Sequence, residues 1–366
     1  MDGFHGLDVD WKRLKLITQR YNEKSFPSPE QCGNISNIKN QAYEDMGSSP
    51  KEHKQATLFY EIHNEDIITD GRGKSFFIKQ DQDIANTITE IVDLEAIKMY
   101  ANSISSTTQN SWFIKNKQNH LWGYINYVEE NGIDYNGLKK HDVKYFRVNG
   151  IGRRFAIGPS MQNMAREVRK VAFQNISFDI DMVNAWPSIL SMELRKENVF
   201  HMYPAISMYD SYPLIWKTVM SEYYDETIEE SKIRMIQPLY GSLPSDDNPY
   251  LWKLTSEVIS AAKFLLSLKK YKKINNMFQD RKIKIFSKLL TLIVASEDNL
   301  LTTLETFLLQ KFPTANISLL QFDGLQLFLD PKRKKDVEKA IEEYEKETGI
   351  SVVIKQLEPN PMKPRK

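Results

Sequence analysis

Three carboxylates in this chain lie within, at the end of, or at the turn between stretches that should be strands. Asp179 and Asp181 belong to residues 178–189 (FDIDMVNAWPSI), and Asp323 belongs to residues 316–329 (NISLLQFDGLQLFL). In the first stretch Ile176, Phe178, Ile180 and Met182 alternate with Ser177, Asp179 and Asp181, the period-two pattern of a strand with one apolar and one polar face. The strand should break into a helix at Asn184, leaving Asp181 at its carboxyl end. The second stretch reads as two short apolar strands around Asp323-Gly324, a hairpin dipeptide in which glycine would supply a positive φ. Two aspartates on neighbouring strand ends could hold divalent cations against a nucleoside triphosphate, the chemistry of two-metal phosphoryl transfer. Asp179, on the same strand face, is a candidate to support that pair. Taken singly, each Asp reads as a turn former or helix cap.

Two further segments carry charge at suggestive spacing. In residues 232–241 (KIRMIQPLYG), Lys232, Ile236 and Tyr240 fall at i, i+4 and i+8, so one helical face would present a cation and an aromatic ring. The lysine could neutralise triphosphate charge and the tyrosine could pack on base or sugar; a solvated lysine on an amphipathic helix is the plainer alternative. Pro238 should kink or end that helix near Gln237. Upstream, Gly152-Arg153 is followed by Pro159-Ser160-Met161-Gln162-Asn163 and then by Arg166 and Arg169.

These segments resemble motifs A, B and C of the right-hand polymerases, in particular family A DNA polymerases and single-subunit RNA polymerases. Lys232 with Tyr240-Gly241 is similar to the K-x7-Y-G of the family's fingers helix. Residues 320–325 (LQFDGL) look like the family's LQVHDEL, with Phe322 for His and Gly324 for Glu. The Gly152-Arg153 to Arg169 segment resembles GR…PNLQN…R…R, with the nine-residue step from Arg153 to Gln162 kept. Asp181 followed by Trp186-Pro187-Ser188-Ile189 looks more like the family B style of motif A. It also resembles the TV-Pol replication polymerases of transposons and viruses, virophages included, in which the polymerase is fused to a superfamily 3 helicase. The resemblance covers residues 150–330.

What the resemblance implies is an α+β, mostly helical right-hand polymerase with a palm of antiparallel sheet, fingers and a thumb-like N-terminal region. The divisions expected are 1–120 (thumb-like), 121–183 (template–primer contacts and the motif A strand), 184–312 (helical fingers), 313–358 (motif C hairpin, helix and closing strand) and 359–366 (linker tail). Catalysis would fall to Asp181, Asp323 and Lys232, with Asp181, Asp323 and the main-chain carbonyl of Met182 holding two Mg²⁺ ions, Mn²⁺ being the alternative. Lys232, Tyr240, Trp186, Arg234 and Arg169 would bind the nucleotide, Trp186 as a gate against the 2′-hydroxyl or else as a core residue. Arg153, Gln162, Asn163 and Arg166 would hold nucleic acid. The implied partners are a DNA template and primer, nucleoside triphosphates and a helicase outside this chain, in replication of a viral or mobile-element genome. The departures all touch the nucleotide pocket: Ile228 replaces an Arg, Ile236 replaces an aromatic, Pro238 interrupts the helix and Gly324 removes an acid. Three rivals follow: a primase or RNA polymerase of the same fold using ribonucleotides, a polymerase-like binding module without catalysis, and a two-carboxylate nuclease, for which Lys232 and Tyr240 would have no task.

The elements that must position these groups are legible in part. Residues 84–100 carry Ile84, Ile88, Ile91, Leu94 and Ile97 at amphipathic-helix spacing, and helices are expected over 252–271 and 287–312. Asp330-Pro331 reads as a helix cap and first turn, Gly349 as that helix's end, and residues 351–357 as a closing strand. A net charge of +1 is low for a nucleic-acid protein, so a footprint must be local. The obvious patch is 263–288, where nine Lys and Arg residues face Asp280 alone and Tyr271 and Phe278 could stack on bases. Residues 24–55 read as a long loop, and the basic 359–366 as a linker. A single cysteine, Cys32, excludes a disulfide framework. No secretory signal, membrane span or G-x4-G-K-[ST] phosphate loop is apparent, so the expected setting is a reducing cytoplasmic or nuclear compartment of a host, or a viral factory.

Overall fold

Two antiparallel four-stranded sheets and a larger set of helices make up the described residues of this computed structural model, namely 41–42, 84–106, 112–147, 150–276 and 285–355. The chain runs through β1 (Ile84–Val92), α1 (Leu94–Ser106), α2 (Trp112–Asn131), β2 (Ile133–Tyr135), β3 (Leu138–Arg147), β4 (Arg154–Ile157), α3 (Arg166–Phe173) and β5 (Ser177–Met182). Helices follow: α4 (Ala185–Lys196), α5 (Pro204–Ser211), α6 (Pro213–Tyr224), α7 (Ile228–Ile236), α8 (Pro249–Ser267), α9 (Lys272–Asn276) and α10 (Ile285–Lys311). It closes with β6 (Asn316–Gln321), β7 (Gly324–Phe328), α11 (Lys334–Thr348) and β8 (Val352–Lys355). Two compact units result, dividing at Val183/Asn184 and at Val294/Ala295 within α10.

In the unit that holds both sheets, one sheet has the order β6-β7-β5-β8 and the other pairs β1, β2 and β4 with β3. Alternation along β5 buries Phe178, Ile180 and Met182 and leaves Ser177, Asp179 and Asp181 on the open face. Val92, Ile97, Tyr124, Ile125, Val128, Val168 and Phe173 from β1, α1, α2 and α3 form one core with Leu319 of β6. Each such side chain, fully buried, contributes about 1.5–3 kcal/mol. Asn136-Gly137 joins β2 to β3 with positive φ at both residues, 51° and 80°.

Residues 84–92 are a strand, not the start of the amphipathic helix the spacing predicts. Isoleucine, threonine and valine favour the pleat, and pairing with β3 from Ile84↔Phe146 to Val92↔Lys139 outweighs the helical period. The helix begins only after Asp93, whose carboxylate accepts from the Ala96 N–H at 2.9 Å. The other expected elements appear as α8, α10, α11 and β8, with Gly349 at φ 71° behind α11.

The second unit is helical through α9. Buried Trp216 packs edge to face on Tyr250 and at a tilt on Tyr209, with ring centroids 5.8 and 6.2 Å apart. The start of α5 has no capping side chain of its own; Glu257 from α8 accepts from the N–H groups of Ala205 and Ile206 at 2.7 and 3.1 Å. Asn184 opens α4 in the left-handed region, φ 52°, and Pro187 in the first turn forfeits an N–H that would have no helical partner. The expected features at Cys32, Phe278, Asp280, residues 281–284 and residues 356–366 lie outside the described residues, as does most of 24–55.

Candidate active site

The site is built on three adjacent strands. β5 lies between β7 and β8, with Asp181 opposite Gly324 on one side and Val353 on the other. Phe322 and Asp323 form the two-residue turn between β6 and β7, since Gln321 pairs with Gly324. The Asp323 carbonyl accepts from the Met182 N–H at 2.8 Å, tying the turn to the end of β5. Gly324 does not supply the positive φ expected of it; among the described residues that conformation falls elsewhere, as at Gly137. Space explains this glycine instead. A Cβ at 324 would stand 2.5 Å from the Ile180 carbonyl oxygen and 2.7 Å from Asp181 Oδ1.

Asp181, Asp323 and Asp179 line a cleft of about 220 Å³ together with Gln162, Arg166, Arg169, Lys170, Gln321, Phe322, Gln326 and Lys355. Burial, and then repulsion from Asp323, pushes the Asp181 carboxyl up to about 7, against the pull of Lys355. Burial also raises Asp179, which accepts from Gln321 Nε2 at 3.3 Å, and lowers the Arg169 guanidinium. Lys355 Nζ is ion-paired with Asp181 Oδ2. Sequence reading overlooked Lys355, although its place at the polar end of the expected closing strand was visible.

Beneath the turn lies a layer of buried charge. Arg153 forks onto Glu297 at 2.6 and 2.9 Å, and its guanidinium stacks on the Phe322 ring at 4.8 Å. Arg154 pairs with Asp298 at 2.7 Å and with Glu305, while Arg147 reaches Asp298 at 2.6 Å. These carboxylates of α10 were not singled out from the sequence, because nothing local distinguishes them from a solvated helix face. Arg153, expected on nucleic acid, thus has an internal carboxylate partner and does not line the cleft.

Gln162 lines the cleft, yet its amide is also an internal strut. Its Oε1 accepts from the Ala156 N–H at 2.8 Å, and its Nε2 donates to the carbonyls of Arg154 and Leu320 at 3.0 and 2.9 Å. Both amide protons and one acceptor site are therefore used to join β4 to β6. Below it, buried Glu90 accepts from the Tyr124 and Ser160 hydroxyls and the Met161 N–H. Asn163 is exposed and donates to the Gly158 carbonyl at 3.2 Å, and Arg169 donates to the Met164 carbonyl at 2.8 Å.

The remaining expected site residues belong to the helical unit. Lys232 is exposed on α7, and its charge adds to burial in lowering the pKa of Lys217 on α6, a neighbour that sequence reading did not bring out. Lys232 and Tyr240 do not belong to one continuous α-helix: α7 ends at Ile236, and Tyr240 closes a 3-10 turn over Gln237–Tyr240 that has Pro238 in its first positions. Tyr240 packs on Trp186 with centroids 6.1 Å apart, and Trp186 is buried at 5% exposure. Gly241, φ 86°, ends the turn where a Cβ would meet Phe286 at 2.8 Å. Arg234 is held by Glu226 at 2.8 Å and lies over the Tyr224 ring at 3.8 Å. In the expected basic patch, Lys270 pairs with Glu197 at 2.7 Å and the Tyr271 hydroxyl bonds Glu193.

The fold is a mixed one of helices and antiparallel sheet, mostly helical. No protein-family model matches the chain, and no curated protein sequence matches it. Among solved structures it is similar to the POL domain of Pol1 from M. smegmatis, described in complex with DNA primer-template and dNTP. The TM-score is 0.37 and the identity 12%, over 95% of this chain and 66% of that one. So distant a likeness carries no chemistry across.

Proposed function

We propose that this chain is a template-dependent nucleotidyltransferase, a DNA polymerase or primase-polymerase serving replication of a viral or mobile-element genome, as the TV-Pol resemblance implies. In this reading β5 to β8 belong to the palm, residues 184–312 to the fingers and the N-terminal region to a thumb-like part. One observation carries it: Asp181 and Asp323, 142 positions apart in the chain, converge at one end of β5, where a glycine leaves room for the Asp181 carboxylate.

The donor set is all oxygen, which fits Mg²⁺ or Mn²⁺. Among the described residues no group of three or more His, Cys, Asp or Glu side chains is placed to hold a metal ion, so a cation on Asp181 and Asp323 would need water and substrate phosphates to complete its shell. Two cations on Asp181, Asp323 and the Met182 carbonyl would lower the pKa of a primer 3′-hydroxyl and screen the triphosphate. Lys232 is assigned to the triphosphate, where it would stabilise charge and protonate the leaving pyrophosphate. Arg166 and Arg169 give the cleft the positive charge that a nucleic-acid backbone or triphosphate needs. The burial of Trp186 against Tyr240 weakens its assignment as a sugar gate, so ribonucleotide synthesis stands as the second reading.

The test is extension of a labelled primer on a DNA template with Mg²⁺, supplying deoxynucleotides or ribonucleotides, with and without primer. Loss of product in both Asp181→Ala and Asp323→Ala is expected. Ribonucleotide products made without primer would establish the primase reading. Template binding without product in any lane would refute catalysis and leave a binding module.

A further inference from the structure

Resting on the metal-dependent reading above, we propose that Lys355 is a built-in counter-ion of the aspartate pair, which a divalent cation must displace, so that this residue sets metal affinity. Three features of the strand arrangement point to it. Lys355 lies opposite Asp179 in the β5–β8 register, yet its side chain reaches past that residue to the Asp181 carboxylate. The two ends of the pair differ in access: the Asp181 side chain is 13% exposed and that of Lys355 is 40% exposed. The carboxylate is therefore held in place, while the ammonium can swing out on its four-carbon stem at small cost. Finally, Asp181 and Asp323 repel one another and Asp179 lines the same cleft, so a single positive charge there offsets part of the repulsion until a cation of higher charge arrives.

A lysine suits this task better than an arginine would. A guanidinium fork would hold the carboxylate through two bonds and resist displacement, whereas an ammonium is a compact point charge. The displaced ammonium would stay beside the cleft, where it still adds positive charge toward a bound phosphate.

The test is Mn²⁺ binding to the full chain without nucleotide, followed by the loss of the free-ion electron paramagnetic resonance signal at about pH 8, where carboxylates are ionised. Lys355→Met should bind Mn²⁺ about tenfold more tightly, and Lys355→Arg several-fold more weakly, as expected when a partly exposed competing charge is removed or strengthened. Asp181→Asn should erase the gain in the double variant. Lys355→Gln repeats the measurement should Lys355→Met fail to fold. Unchanged or weaker binding in Lys355→Met, with wild-type binding intact, overturns this role and leaves the polymerase reading standing. Mn²⁺ binding in neither protein refutes the metal-dependent reading and the counter-ion role with it.

Discussion

Replacing Gly324 by alanine tests the site at its narrowest point. The added Cβ would lie 2.5 Å from the Ile180 carbonyl oxygen, 2.7 Å from Asp181 Oδ1 and 3.1 Å from Asp181 Cα. Two of the three contacts are with backbone, which cannot rotate away. Ordinary contact begins near 3.4 Å, so β7 must retreat from β5 by about 0.9 Å at this pair. Overpacking of this kind costs about 1–3 kcal/mol of stability. The larger effect is on chemistry, because the retreat separates the Asp323 turn from Asp181, and a shift of about 1 Å in a reacting group can cost on the order of 10²-fold in rate. Steady-state primer extension, alongside urea unfolding, measures both. Gly137→Ala is the control: it strains a φ of +80° in open space far along the chain from the site and should lose about 1–2 kcal/mol without loss of rate per folded molecule. Wild-type extension by Gly324→Ala, within about twofold, would refute the argument that this glycine exists to seat Asp181.

Two other outcomes follow from the same geometry. The Asp181 carboxyl is raised in the folded protein from 3.8 to about 7, so the folded state binds more protons than the unfolded state across that window and stability falls as pH rises through it. Metal-free protein should therefore lose melting temperature between about pH 4 and pH 7, and Mg²⁺ should restore more of it near pH 8 than near pH 5.5; a metal effect independent of pH would contradict this. Gln162→Ala should destabilise the chain by about 2–3 kcal/mol, since three hydrogen bonds joining β4 to β6 are lost. If Gln162 acts only by reading nucleic acid, denaturant unfolding will show no change while template affinity falls.

Much of the site was legible because its signals are local. The alternation that places Asp179 and Asp181 on the open face of β5 is a period-two pattern, and Pro238 ends α7 through its own missing N–H, whatever surrounds it. Asp330 caps a 3-10 turn over Pro331–Arg333 that leads into α11, and Gly349 ends α11, for similarly local reasons. Residues 84–92 misled because an isoleucine spacing compatible with a helix was overruled by pairing with β3, a partner some fifty residues away. Gly324 misled in a subtler way: the dipeptide does mark a hairpin, but it is a neighbouring strand, and not the turn, that requires the missing side chain.

The sequence by itself determined β5 to β8, the helices α8, α10 and α11 and the two aspartates worth testing, since propensity, periodicity and capping act within a few residues. Only the tertiary structure decided that Lys355 pairs with Asp181, that Arg153 and Arg154 are held by carboxylates of α10, and that Gln162 spends its amide inside the protein. Those contacts join residues up to 174 positions apart, and which charges meet depends on strand order and register, which no short-range pattern encodes.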